Sequence, residues 1–552
     1  MQASDLLVRC LETEGVERVF GLPGEELEDL LFSLRDSDVQ FVPVRHEQGA
    51  AFMADVHGRL TGEAGVCLAT LGPGATNLIT GVADAHLDKS PLVAITGQGG
   101  RERLHKESHQ ALDVVDMFEP VVKWNTQLTD ADIIPESVRK AFKLAEYEKP
   151  GATHLEFPED VADEDLDASP MTPRPRVRRP NPDTASLDRA AELIAAAEDP
   201  LVLAGNGAVR TPTATRLHEL VDHAGMPVVA TYMGKGAVSD RLDNSLMTLD
   251  SGPEDEATAA VRRADCVLAV GYDIAEHDPA SWNPGCDATI VHVDYEPAEV
   301  YEHYNPDVEL VADVAATLRE LRARLDARSL PAWAVDLRED IVADVGREPD
   351  ADDPFSVKRT LPYLRAAMAD DDVLVSDVGS HKMAIARSFP AYEPKTVIVS
   401  NGLASMGIGV PGGLAADLAV EGNVVVGTGD GGFLMNAAEI ETATRLDLGF
   451  TIVVWNDADY GLISEKQQAH TGESFGTGLS TPDLVTFAES FGIEGYRPDS
   501  WDAVESVLAD VVPSDELALV EIPLPSRTRG PRERRAARDS RAATRRGPTV
   551  IA

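Results

Sequence analysis

Short β-branched runs alternate along this chain with longer segments in which apolar residues recur at helical spacing. Near the start, Leu6, Leu7, Cys10 and Leu11 share one face of a predicted helix that Ser4 is placed to cap. The run VERVFGL reads as a strand stopped by Pro23-Gly24, and GEELEDLLFSL as a helix. VQFVPV is a strand, GAAFMADVHGRL a helix, AGVCLATL a strand ending at Gly72-Pro73-Gly74, and PLVAITG a further strand. Strand and helix in strict alternation predict a parallel sheet with helices on both faces.

The rhythm is interrupted and resumed twice. The stretch DLDASPMTPRPRVRRPNPD, at about 165–185, is rich in Pro and polar residues and reads as a linker. A second α/β segment follows over 186–325, with strands PLVLAGNG, PVVATY, CVLAVGY and TIVHVDY. A charged, Pro-broken stretch near 326–354 reads as another linker. The third segment, 355–525, carries VLVSDVG, TVIVSN, NVVVGTGDG, FTIVVWND and LALVEIP. The pattern predicts an α/β protein of three doubly wound parallel-sheet domains, 1–165, 186–325 and 355–525, in keeping with its 552 residues. From Ser526 the chain holds nine Arg against two acids and no apolar cluster, so 526–552 reads as a disordered basic tail.

Charge changes the picture more than composition does. Lys and Arg number 49 and Asp and Glu 94, a net charge of −45, and only 11 of the basic residues are Lys. An acidic excess of this size keeps a chain soluble in concentrated salt, and the reading is a halophilic protein. It argues against nucleic acid as a partner, which needs a basic footprint. Cys10, Cys67, Cys266 and Cys286 form no close pair, so neither a disulfide framework nor a zinc cluster is indicated and a reducing cytoplasmic setting fits. The most apolar stretch, 402–420, contains Pro411, Asp417 and five Gly, and reads as a loop entering a buried helix, with no membrane span.

The chemistry concentrates at strand ends. In VVVGTGDGGFLMNAAEIETATRLDLGFTIVVWNDADYG, one βαβ unit puts Asp430 after its first strand and Asn456-Asp457 after its second. Ligands of open α/β sheets sit beyond the carboxyl ends of strands. Two hard oxygen ligands there suit Mg²⁺ carrying a phosphate. Gly431 and Gly432 let the backbone approach that phosphate at a helix start. Taken alone, Asp430 also fits a turn or N-cap residue. Glu47 follows the strand VQFVPV, and on spacing alone it reads as a helix-start carboxylate facing the helix dipole. Four other segments stand out: Gly72-Pro73-Gly74-Ala75-Thr76-Asn77, Val378-Gly379-Ser380-His381, Asn401 to Gly407 with Ser405 and Met406, and Gly205-Asn206-Gly207. Each also fits an ordinary turn, core or surface role.

Together these motifs resemble the thiamine diphosphate-dependent enzymes. The resemblance implies that Glu47 hydrogen-bonds the cofactor's aminopyrimidine ring and promotes removal of the thiazolium C2 proton. It implies that Pro73 and Asn77 lie beside that ring. Met406, next to Ser405, wedges between the two cofactor rings and enforces a bent shape. Val378, Gly379, Ser380 and His381 contact the diphosphate, as do Gly431, Gly432, Gly461 and Leu462. Mg²⁺ is implied on Asp430, Asp457 and the main-chain carbonyl of Asp459, with Asn456 as second choice to Asp457.

Over residues 1–525 the chain is most similar to acetolactate synthases, especially the catabolic, flavin-independent type. FGLPG, the segment HQ followed by MFEPVVKW, SWNPGCDATIVHVD and NPDVELVADVAATL carry this. Gln110 and His109 are then implied in the substrate pocket. Lys466 stands where biosynthetic members carry a Trp and is a candidate for an acceptor carboxylate. The implied reaction decarboxylates pyruvate and transfers the hydroxyethyl group to a second 2-keto acid. The motifs alone leave a simple 2-keto acid decarboxylase or acyltransferase open. FAD is possible at Gly205-Asn206-Gly207 but not favoured. A homodimer or homotetramer is expected, with Glu47 and Asp430 acting across the interface.

Overall fold

The computed structural model describes residues 1–173, 179–250 and 255–525; the basic tail lies outside the described residues. It contains three six-stranded sheets. In spatial order the first is Gln40–Pro43, Arg18–Gly21, Gly65–Ala69, Leu92–Gln98, Ala152–Pro158 and Trp124–Gln127. The central sheet is Val308–Val311, Thr289–Asp294, Cys266–Val270, Pro200–Ala204, Val228–Ala230 and Ser245–Thr248. The third is Val397–Val399, Val373–Ser376, Val424–Gly429, Thr451–Asn456, Ala518–Pro523 and Glu494–Tyr496. All neighbouring strands pair in parallel. The fold is the expected α/β arrangement of three doubly wound sheets, with helices between strands.

Several elements were not expected. Trp124–Gln127, Ala152–Pro158, Ser245–Thr248, Val308–Val311 and Glu494–Tyr496 are additional strands. Four of the five are edge strands, where short and partly polar runs give a weak periodic signal, and Ala152–Pro158 lies next to an edge. The stretch expected as a second linker carries the helix Ala332–Val345, which buries Ile341 and Val345 against the central domain. Ser4 does not cap the first helix. That helix starts at Ala3, and the Ser4 hydroxyl is buried inside it without a hydrogen-bond partner. The segment 164–166 meets the helix start instead, through Ala3 N to Glu164 O and the N-terminal amine to Leu166 O. Among the described residues no helix is long and apolar enough to cross a membrane.

The first and third domains share one core. Phe52, Met53 and Val56 on the helix Glu47–Thr61 join Val375, Ile408, Leu414, Val426, Phe433 and Ile440 of the third domain. The helix Gly409–Asp417 crosses Glu47–Thr61 closely because residue 412 is Gly; a Cβ there would meet Val375 at 2.9 Å and Val56 at 3.1 Å. At the far end of Glu47–Thr61, Arg59 is enclosed by carboxylates. Its guanidinium bonds Asp55 twice at 2.8 Å, Asp84 at 3.2 Å, Asp88 at 2.8 Å and the carbonyl of Val399 at 2.8 Å. The three aspartates are buried. Burial and the neighbouring Asp88 and Asp55 push the Asp84 carboxyl well above the usual range, against the pull of Arg59.

Removing one partner of a buried ion cluster strands the others in a medium that solvates them poorly. Arg59→Met is therefore expected to cost about 3–5 kcal/mol of stability, read as a lowered urea midpoint at fixed salt.

Candidate active site

Two groups of side chains stand at strand and helix ends of the first and third domains. In the first domain, Glu47 opens the helix Glu47–Thr61 and is 6% exposed. His46 is the N-cap, its Nδ1 accepting from the Gln48 N–H at 3.1 Å. Asn77 donates from Nδ2 to Glu47 Oε2 at 3.0 Å, and Gly74 leaves room beside Oε1. Asn77 and Gly74 lie in the first turns of the helix Pro73–Leu87, whose first residue is proline. Gly72 enters it with φ +50° and abuts the backbone of Gln110, whose own φ is +56°. The side chains of His109 and Gln110 are exposed.

In the third domain, Gly429 lies opposite Trp455 in the parallel pairing, so the residues after each strand are neighbours. Asp430 is buried and opens the helix Asp430–Asn436. Its carboxylate accepts from the Thr481 hydroxyl and from the backbone N–H of Asp457, so the two aspartates are in contact through the chain. Burial raises the Asp430 carboxyl above its ordinary range, and these bonds oppose the rise. Asp457 Oδ1 accepts from Asp459 N at 3.2 Å. Gly461 leaves space for its other oxygen, since a Cβ there would lie 2.9 Å from Asp457 Oδ2. Asn456 is turned away: its Nδ2 donates to Glu521 at 2.8 Å and its Oδ1 accepts from Ala458 N at 3.1 Å. The Asp459 carboxylate is buried with neither oxygen hydrogen-bonded. Among the described residues there is no group of three or more His, Cys, Asp or Glu side chains placed to hold a metal ion. Two carboxylates completed by a main-chain carbonyl would not form such a group.

His381 belongs to the same corner. Sequence left it open as a surface residue, whereas the ring is buried and stacked on Trp455 at 6.1 Å. Its Nε2 has no partner, and burial pushes its pKa down to about 4, so the ring is neutral near pH 7. It sits against Gly429, just before Asp430. Gly431 and Gly432 have a packing reason of their own. A Cβ on Gly432 would lie 2.9 Å from Asp377 Oδ1, and one on Gly431 would lie 2.8 Å from the Tyr460 ring. Gly461 is buried, Leu462 half-buried and Lys466 exposed on the helix Gly461–Thr471.

Sequence reasoning missed Asp377, the residue before Val378. Its buried carboxylate accepts from the N–H groups of Val378 at 2.6 Å, Gly407 at 2.9 Å and Gly409 at 3.1 Å. It thereby ties the Val378–Ser380 turn to the loop of Ser405 and half-buried Met406. An acid at the end of the strand Val373–Ser376 was the available signal. Glu276 was also missed. It accepts from Asn206 N and Asp273 N at 3.0 Å and from Thr231 Oγ1 at 2.6 Å. The Gly205-Asn206-Gly207 loop thus already holds a carboxylate, and it packs on Gly271 with no room for a Cβ.

The chain matches three consecutive family models. Residues 1–117 match the thiamine pyrophosphate enzyme N-terminal TPP binding domain, 187–321 the central domain and 377–522 the C-terminal TPP binding domain. It is 36% identical to the catabolic acetolactate synthase of Raoultella terrigena, over 94% of each chain. It is 33% identical to the acetolactate synthase of Bacillus subtilis, over 95% of this chain and 93% of that one. With the large subunit of acetolactate synthase isozyme 2 of Escherichia coli it shares 31% identity over 95% of each. Similarity of this extent, across all three sheets and both groups of strand-end residues, makes the chain a member of the thiamine pyrophosphate enzyme family, in its acetolactate synthase branch.

Proposed function

We propose that this protein is an acetolactate synthase that decarboxylates pyruvate and joins the two-carbon fragment to a second 2-keto acid. Residues 1–165 would serve as the pyrimidine-binding domain, 186–325 as the central domain and 355–525 as the diphosphate- and metal-binding domain. The observation that carries the reading is the near-complete similarity to acetolactate synthases, including a catabolic one. The donor set fits the cofactor. The unpartnered Nε2 of His381 and the unpartnered carboxylate of Asp459 are buried polar atoms that ask for a ligand or ion beside Asp430.

Bound there, thiamine diphosphate supplies the electron sink for the bond broken when carbon dioxide leaves. Asp430, Asp457 and the Asp459 carbonyl would hold Mg²⁺. This arrangement favours Asp457 over Asn456, whose amide is spent on Glu521 and Ala458. Val378, Gly379, Ser380, neutral His381, Gly431, Gly432, Gly461 and Leu462 would bind the diphosphate. Pro73 and Asn77 would flank the pyrimidine, and Asn77 orients the Glu47 carboxylate, which would share a proton with the pyrimidine ring. Met406 would bend the cofactor. His109, Gln110 and Lys466 would receive the 2-keto acids.

The active site is proposed to form between the first domain of one copy and the third domain of another, in a dimer or tetramer. The apolar side chains of Leu112, Leu403, Met435 and Ile463 support this, since all are exposed within three residues of a proposed site residue and need a cover. Glu276 supports action without flavin, because it takes the N–H donors that a phosphate would need at the glycine loop. The excess of acidic residues supports work in a salt-rich cytoplasm.

Incubation with pyruvate, thiamine diphosphate and Mg²⁺, without FAD, is expected to yield acetolactate; acetaldehyde alone would point to a simple decarboxylase. Glu47→Gln is expected to lower turnover at least about 10²-fold, with an unchanged circular dichroism spectrum. Asp457→Ala is expected to abolish Mg²⁺-dependent cofactor binding, measured by Trp fluorescence quenching, whereas Asn456→Ala retains it. The reverse result would move the metal ligand to Asn456.

A further inference from the structure

Glu47 is only as well placed as the backbone that carries it. The strand Gln40–Pro43 before it is an edge strand of the first sheet. The loop leaving that strand therefore lacks a neighbouring strand on one side to accept its N–H groups. An N–H without an acceptor leaves that stretch of backbone loosely held, so an acceptor from elsewhere is what can fix it.

It comes from the third domain. Glu439, 1% exposed, lies at the junction between the 3₁₀ turn Ala437–Glu439 and the helix Ile440–Arg445. Its Oε1 accepts from Arg45 N at 3.0 Å and His46 N at 3.1 Å, and its Oε2 from Arg45 N at 3.2 Å. Thr442 Oγ1 donates to Oε2 at 2.7 Å and holds the carboxylate in this pose. Gly49 closes over it: a Cβ there would lie 2.8 Å from Oε1. Arg445 also reaches the carbonyl of Pro43, so residues 43–46 are stitched to 439–445 throughout. His46 is thus held through its N–H by Glu439 and through its ring by Gln48, with Glu47 between them.

We propose that Glu439 is a positioning residue for Glu47: a third-domain carboxylate that fixes the two backbone N–H groups on which the catalytic carboxylate of the first domain is mounted. The inference rests on the proposed role of Glu47. It assigns Glu439 no contact with substrate or cofactor. Glu439→Gln is nearly isosteric but replaces one acceptor oxygen with an NH₂ group. In either orientation that NH₂ faces an N–H, those of Arg45 and His46 at the Oε1 position or that of Arg45 at the Oε2 position, so the loop loosens while the core remains filled.

Two readouts test this. In the chain without cofactor, amide hydrogen exchange over residues 43–49 is expected to accelerate about tenfold in Glu439→Gln, with protection elsewhere in the first sheet unchanged. In the chain saturated with thiamine diphosphate and Mg²⁺ but without pyruvate, exchange of the thiazolium C2 proton with D₂O is followed by acid quench and NMR. A misplacement of about 1 Å costs roughly 10²-fold, so a fall of about 10- to 100-fold per bound cofactor is expected in Glu439→Gln, with cofactor affinity little changed. Thr442→Val, which only frees the carboxylate, should show a smaller fall. A folded, cofactor-saturated Glu439→Gln chain that exchanges the C2 proton at the wild-type rate overturns the proposal. If Glu439→Gln does not fold, Thr442→Val decides, and an unchanged rate there overturns it equally. Wild type and Glu47→Gln are run alongside. If wild type is no faster than Glu47→Gln, the function proposed for Glu47 fails and the role of Glu439 falls with it.

Discussion

The buried ion cluster of Arg59 is the constraint on which the arrangement of domains rests. One guanidinium on a first-domain helix meets Asp55, Asp84 and Asp88, and its remaining nitrogen reaches the third-domain carbonyl of Val399. The aspartates have further work. Asp84 accepts from Ser400, and Asp88 accepts from the N–H groups of Asn401 and Gly402. Asn401 in turn donates to the carbonyl of Glu276 in the central domain. Three domains thus meet at the start of the loop that carries Met406. Lys382 lies close by and bonds Ser400 O and Asn401 Oδ1, adding a second positive charge near Asp88 and Asp84. A network this buried is favourable only when every member is satisfied, which makes the relative placement of the domains highly specific.

A second theme is how an acidic chain uses acid inside. Asp377, Asp88, Glu439 and Glu276 are all buried or nearly so, and each accepts from backbone N–H groups where the chain leaves a sheet. Loops at the carboxyl ends of parallel strands lose their ladder partners, and their N–H groups point toward the crevice where ligands bind. A carboxylate offers two strong acceptors and makes shorter bonds than a neutral group. Its desolvation is offset by those bonds, and the loop gains a single conformation.

Much of this was legible in the residues. Asp430 and Asp457 stand at strand ends and Glu47 at a helix start, as their positions after β-branched runs required. Met406 and Gln110 were singled out from motif context alone, and the structure places Met406 half-buried and Gln110 exposed. His381 could not be placed, because a His after Gly-Ser has no periodic signature of burial; its stacking on Trp455 brings together residues 74 positions apart. Asn456 and Asp457 were adjacent candidates, and only the structure shows the Asn456 amide taken by Glu521 on the neighbouring strand. The helix Ala332–Val345 was hidden by charge and flanking proline, yet buries Ile341 and Val345 in the core of the central domain that precedes it.

The sequence by itself determined the three repeated α/β patterns, the faces of the helices and the residue types at the strand ends. Those follow from local periodicity and from side-chain chemistry that needs no partner to be recognised. Only the tertiary structure decided which groups satisfy one another: Glu47 with Asn77, Asp430 with Thr481, Asp377 with Gly407 and Gly409, and Glu439 with Arg45 and His46. Those pairs join residues from about 30 to nearly 400 positions apart, and they depend on ångström-scale distances that no linear pattern encodes. The register of the sheets and the crossing of the helices set those distances, and with them the part of the chemistry that rests on position.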